Sequence, residues 1–220
     1  MSAQPVERPG DSTTTPASEL LIPVPTAWWV LVSGVIGLVA SMTLTVEKIR
    51  ILLNPAYVPS CNVNPIVACG SVMITPQASV LGFPNSLFGI VGFTLVTVTG
   101  VLSVAKISLP QWYWIGLTVG TLISVGFVHW LIFQSLYRIG ALCPYCIVVW
   151  TVSVSLLVVV TSIVFRPLLE GPTSWTKIIA RGIHQWRWSI ATLWFITVFL
   201  LIAVRFWNYY WSTLLMSYRL

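Results

Sequence analysis

Cys143-Pro144-Tyr145-Cys146-Ile147-Val148-Val149-Trp150 is the stretch from which the rest of the chain can be read. It follows a short polar turn holding Tyr137, Arg138 and Gly140, and it opens an apolar run that continues to Phe165. Two thiols three residues apart at the start of a helix share one face. Cys143 reads as the cap and Pro144 as the first helical residue, where a missing N–H costs nothing. The positive end of the helix dipole then lies on the sulfurs and favours thiolate. Thiolate is the species that attacks a disulfide or an electrophilic ring carbon. The bland alternative is a structural cysteine pair or half of a metal site. The remaining cysteines, Cys61 and Cys69, also sit at the edge of apolar spans, which favours redox chemistry.

Composition sets the solvent. The chain has 220 residues, 57% of them hydrophobic and 7% charged, with a mean hydropathy of +0.91. Soluble domains carry about 25% charged residues. No soluble fold hides so much apolar surface, so an all-α integral membrane protein is expected. The net charge of +6 comes from scattered basic residues, with no basic stripe and interleaved aromatics for nucleic acid. These residues read as topology signals and lipid-headgroup contacts. The chain holds 12 Trp, most at the ends of apolar runs, as in the aromatic belt of a membrane protein. Cysteines in two pairs suggest the oxidising side of a membrane.

Residues 1–26, rich in Pro, Ser and Thr, are expected to be a disordered cytoplasmic tail rather than a signal peptide. Ala27–Val46 has the length of a membrane span, about twenty residues. Glu47–Leu53 should continue it for a turn or two. The segment to Pro84 contains Pro55, Pro59, Pro65, Pro76 and Pro84 together with Cys61 and Cys69. It is expected to lie on the membrane face as an extracytoplasmic cysteine loop over the bundle. Asn85–Ala105, Gln111–Leu136 and Cys143–Phe165 are the next spans. Residues 166–187 read as a polar cytoplasmic loop and Trp188–Trp207 as a fifth span with a short tail to 220. The expected fold is a four-helix bundle over 27–165 around a ligand pocket, plus the fifth helix.

Five spans put the 47–84 segment, the 137–142 turn and the tail on one side. Arg8, Lys106, Arg166, Lys177, Arg181 and Arg187 fall on the other side, against Lys48, Arg50, Arg138, Arg205 and Arg219 with the cysteines. That slight bias makes the amino-terminal side cytoplasmic. The span count thus brings all four thiols to the outer side.

Four cysteines allow three complete connectivities. Cys61–Cys69 with Cys143–Cys146 is the resting option, and a Cys69–Cys143 link is the natural exchange intermediate. The loop pair reads as mobile and the helix-end pair as fixed. Electrons would enter at Cys61 from an external dithiol, pass from Cys69 to Cys143 and leave from Cys146. Membrane quinone, apolar and two-electron, is the acceptor that fits the lipid-depth surroundings of Cys146.

These residues resemble a known family. Pro59-Ser60-Cys61-Asn62-Val63-Asn64-Pro65, Cys69-Gly70-Ser71-Val72-Met73, Gly82-Phe83-Pro84-Asn85-Ser86-Leu87-Phe88-Gly89 and Cys143-x-x-Cys146 closely resemble the vitamin K epoxide reductase family, and look like its actinobacterial branch. The specific motifs cover residues 27–165. The resemblance implies that Cys146 reacts with quinone, that Cys143 exchanges with Cys69, and that Cys61 takes electrons from the substrate. It implies that Asn85 hydrogen-bonds a quinone carbonyl. Trp150 stands where the animal members have a second donor, a Tyr. The resemblance further implies a plasma-membrane thiol:quinone oxidoreductase of bacterial type, with menaquinone or a similar quinone as acceptor. No thioredoxin-like domain is expected within the chain, so its partner is expected to be a separate, DsbA-like extracytoplasmic thioredoxin-fold protein.

Other residues carry weaker signals. Asn85 has its own rationale as a buried amide seeking a carbonyl, against a plain helix cap. Phe88 and Trp150 could line a ring pocket, against ordinary packing. His129, inside the third span, reads as a neutral, hydrogen-bonded core histidine. Glu47, Lys48 and Arg50 read as boundary anchors. Competing functions are reduction of vitamin K epoxide by the same cysteines and, outside enzymology, a thiolate metal-binding membrane module. No metal is expected, because Cys61 and Cys69 are too widely spaced for a zinc knuckle. A DsbB-type reductase would carry its CxxC before the loop pair, the reverse of the order here.

Overall fold

The computed structural model describes residues 19–20, 22–165 and 174–217. In chain order it contains β1 (Glu19–Leu20), α1 (Val24–Leu53), α2 (Cys69–Met73), a 3-10 turn (Pro76–Ser79), α3 (Ser86–Val104), β2 (Leu109–Pro110), α4 (Gln111–Phe133) with a π turn (Gln134–Ile139), α5 (Pro144–Val164) and α6 (Ser174–Ser217). Among the described residues, five segments are long and apolar enough to cross a membrane: Val24–Leu53, Ser86–Val104, Gln111–Ile139, Pro144–Val164 and Gln185–Trp207. The expected all-α membrane fold is the observed one.

The helix ends follow local chemistry. Pro144 stands in the first turn of α5 with Cys143 as N-cap, as read from the sequence. The π turn stops at Gly140, whose φ of 72° lies in the left-handed region. That conformation costs glycine little, and the Gly140 N–H closes the turn on the Ser135 carbonyl at 2.9 Å.

α1 packs along α3, and α5 fills the space between α1 and α4. Small residues let α1 and α3 approach closely, as expected where lipid competes for every apolar contact. A Cβ placed on Gly100 would lie 2.5 Å from the Leu31 backbone. Val30, Phe93, Val96, Trp114, Leu156 and Val160 form the core at the amino-terminal end of the bundle. α3 and α4 do not pack face to face. They meet through a Thr99–Tyr113 hydroxyl contact of 2.5 Å, and a cavity of about 830 Å³ lies between them. Leu95 and Ile123 line that cavity and are themselves exposed, so its mouth opens on the lipid-facing side. β1 pairs antiparallel with β2, which puts the segment leading into α1 and the α3–α4 connection at the same end. All four cysteines lie at the other end.

Two expectations need correction. The 1–26 segment is not disordered throughout: Glu19–Leu20 forms a strand, Ile22 packs on the core, and α1 begins at Val24. The apolar run through Ile22 gives this part something to bury; residues 1–18 and 21 lie outside the described residues. The expected 166–187 loop is helical from Ser174 onward, continuous with the fifth span. Charged residues end a membrane span without ending a helix, and no proline follows Pro172.

Gly100→Ala should lower stability by about 1–3 kcal/mol through overpacking. Gly126→Ala, where an added Cβ meets open space, should be neutral or stabilising by about 0.5–1 kcal/mol. Thermal unfolding of the two variants in one detergent checks the opposite signs.

Candidate active site

The 61–69 segment is built as a tight loop. The Asn64 side-chain oxygen accepts from the backbone N–H groups of Ile66 at 3.0 Å and Val67 at 2.7 Å. Asn62 does the same for Gly70 at 3.0 Å. Short polar side chains that bond their own backbone close turns in this way. The loop is then joined to the residue before Cys143. Leu142 donates to the Ile66 carbonyl at 2.7 Å, and Ala68 donates to the Leu142 carbonyl at 2.9 Å. This isolated parallel bridge between Val67 and Leu142 delivers Cys69, two residues on, and Cys143, one residue on, to the same place.

Cys61 and Cys69 are joined by a disulfide, and Cys143 and Cys146 are free. The Cys143 sulfur lies 3.2 Å from that of Cys69. The Cys146 thiol donates to the Cys143 sulfur and holds its pKa below the ordinary thiol value; burial opposes this, and the backbone N–H groups of Cys146 and Tyr145 add to it. A thiolate-prone sulfur thus faces a disulfide within reach. Cys61, Cys69 and Cys143 are 6%, 0% and 1% exposed, so the exchange site is dry.

Cys146 faces the cavity between α3 and α4, which is also lined by Asn85, Phe88, Trp150, Lys48 and Tyr113. The cysteine and ring-site candidates therefore converge. Their other contacts differ from expectation. Asn85 is the N-cap residue of α3 but makes no side-chain cap bond. Its amide accepts from the Val80 N–H at 3.1 Å and donates to the Gln77 carbonyl at 2.6 Å. It thereby fastens the turn over the cavity, and an amide retains one further N–H for another acceptor. The Phe88 ring packs at a tilt of 42° against Phe83, with centroids 5.0 Å apart. Trp150 is 3% exposed and packs in a cluster with Ile66, Leu142 and Phe206.

Several contacts were not expected. His129 is not a core residue but stands at the α4–α6 seam. Its Nδ1 is 2.7 Å from the Val125 carbonyl, and its Nε2 accepts from the Trp194 indole at 2.7 Å. The neutral tautomer with its proton on Nδ1 satisfies both partners. Arg205 of α6 donates to the Leu136 carbonyl at 3.0 Å. Its place inside an apolar span was the signal, since an intramembrane charge has a specific partner by default. Lys48 donates to the Met73 carbonyl and so ties α2 to α1. Glu47 is buried rather than set at a lipid boundary, and its Oε1 accepts from the Ser60 hydroxyl at 3.0 Å.

The profile of the Vitamin K epoxide reductase family matches residues 28–161. The chain belongs to this family. No curated protein sequence matches it. The match includes all four cysteines, Asn85, Phe88 and Trp150, and ends before α6. Vitamin K epoxide reductase family members are oxidoreductases of the membrane whose chemistry joins thiols to quinones. With five apolar helices, this member is a multi-pass membrane protein.

Cys146→Ala removes the donor that stabilises the Cys143 thiolate, whereas Cys146→Ser retains an O–H. In either variant Cys143 can attack Cys69, leaving Cys61 as thiol and a stable Cys69–Cys143 link. The reactive form exists above the Cys143 pKa and is lost as pH falls through it. Link formation should therefore begin at higher pH in Cys146→Ala than in Cys146→Ser, as read by acid-quenched thiol labelling on non-reducing gels.

Proposed function

We propose that this protein is a membrane thiol:quinone oxidoreductase that reoxidises a DsbA-type thioredoxin-fold thiol oxidase and so supports disulfide formation in exported proteins. The observation that carries this reading is the 3.2 Å approach of Cys143 to Cys69, with Cys146 on the wall of an apolar cavity. One partner thiolate attacks Cys61, and Cys69 leaves as thiolate. The second partner thiolate then closes the partner's disulfide and releases Cys61. Cys69 attacks Cys143 of an oxidised Cys143–Cys146 pair, and Cys146 leaves. Cys61 attacks Cys69, which re-forms the loop disulfide and frees Cys143. The state described here, loop oxidised and Cys143/Cys146 reduced, corresponds to the end of that transfer.

Cys146 then attacks a ring carbon of the quinone. Cys143 closes the disulfide on Cys146, so that two electrons leave with the ring and two protons complete the hydroquinone. A cavity of about 830 Å³ suits a ring and the start of its tail, since ligand pockets run from about 300 to 1,000 Å³. In this reading Asn85 gives its spare N–H to a ring carbonyl, and Phe88 and Trp150 wall the ring. Menaquinone or a similar lipid quinone is the acceptor. The membrane is a bacterial plasma membrane with the cysteines outside, a placement supported by the small Lys/Arg bias toward the other side.

Cys146→Ala should abolish dithiol-driven quinone reduction followed by absorbance, and retained turnover would overturn the assignment. A partner that keeps only its attacking cysteine should accumulate a mixed disulfide with Cys61 of the intact loop, whereas Cys61→Ser should trap none. A gel shift of the partner complex reads both.

A further inference from the structure

In the relay above each loop sulfur leaves as a thiolate, and one that is protonated before its own attack must lose that proton again; the sulfur cluster of Cys61, Cys69 and Cys143 is closed to water. Leu44 and Ile51 of α1 pack against that cluster. Glu47, one turn from each, shares their face. It is 4% exposed. Its Oε1 accepts from the hydroxyl of Ser60 at 3.0 Å, and Ser60 is the residue directly before Cys61. Its Oε2 is buried without a hydrogen-bond partner.

The surrounding charges do not explain a carboxylate there. Arg50 Nη1 comes no nearer than 4.0 Å, is on a largely exposed side chain, and donates to the Tyr57 hydroxyl at 3.2 Å. Lys48, the next residue on the helix, is committed to the Met73 carbonyl. An anchor for Ser60 needs only an acceptor, which a neutral amide would supply without the cost of burying a charge. Among the described residues, Glu47 is the acidic residue that lies inside a membrane-spanning helix.

We propose that Glu47 is the proton acceptor of the loop cysteines, working through the Ser60 hydroxyl. The proposal rests on the electron relay described above and adds its proton path. As a loop S–H bond breaks, the Ser60 oxygen takes that proton and passes its own to Glu47. The products are a thiolate and a neutral carboxylic acid. The thiolate attacks, and the proton returns by the same path when the next leaving sulfur needs it. No electron moves in this step, and one O–H forms on Glu47 for each S–H lost. Glu47 thus serves sulfurs that are themselves closed to water, through a Ser60 that is exposed.

The test uses the full chain in detergent, dithiothreitol as donor and a short-tailed benzoquinone as acceptor, with turnover measured across pH. Glu47→Gln keeps the acceptor for Ser60 but cannot take a proton. Its turnover should fall by about 100-fold near neutral pH, the scale of general-base effects. It should recover toward wild type as alkaline solution generates the thiolates directly. A variant slowed by the same factor at every pH, or one within twofold of wild type throughout, would make Glu47 a structural anchor and overturn the proposal. Ser60→Ala provides an independent reading should Glu47→Gln fail to fold: it should be slowed with the same alkaline recovery, and a wild-type rate would end the relay. Retained quinone reduction by Cys146→Ala would instead refute the electron relay itself, so the two failures are distinguishable.

Discussion

Two backbone hydrogen bonds between Leu142 and the Ile66–Ala68 segment are the constraint on which the site depends. Cys69 and Cys143 are separated by 74 residues, and thiol exchange needs their sulfurs in contact. Side-chain packing alone would leave the register of loop against helix free to slip. A bridge whose partners each precede a reactive cysteine removes that freedom. The supports of the bridge come from three directions. Asn62 and Asn64 hold the loop in its turn, the π turn and Gly140 aim Leu142, and Phe206 of α6 packs in the cluster that contains Ile66 and Leu142. The helix outside the family match is therefore part of the frame behind the sulfurs.

The same packing sets the chemistry. Burial disfavours thiolate, and the bond from Cys146 together with the backbone donors at the start of α5 outweighs it at Cys143. The two free cysteines thus differ in character although they share a motif. Cys143 is enclosed and faces the loop, while Cys146 is half-buried and faces the cavity. A helix that places its cap residue against one surface and its next turn against another separates the two tasks by geometry.

Much of this was legible in the residues. Pro144 after a cysteine and before a long apolar run fixed the start of α5, and span length with proline placement marked the loop that carries Cys61 and Cys69. Parity of the spans brought the four sulfurs to one end. What stayed hidden depends on contacts between distant segments. Asn85 read as a cap or a ligand because its local sequence offered both, while its actual partners, Gln77 and Val80, belong to the preceding turn. Glu47 read as a boundary charge because helical phase does not reveal which face the loop will cover. His129 and Trp194, 65 residues apart, carry no shared pattern at all. The extension of α6 back to Ser174 was missed because polarity was taken as an end of helix rather than an end of bilayer.

The gap between α3 and α4 has a consequence for supply. Its mouth, marked by Leu95 and Ile123, opens sideways toward lipid rather than toward water. A molecule that enters there is met by two-dimensional diffusion, and the quantity that governs its arrival is its mole fraction among the lipids. Extra bilayer or detergent, at fixed total amount, dilutes such a molecule as surely as added buffer dilutes a soluble substrate.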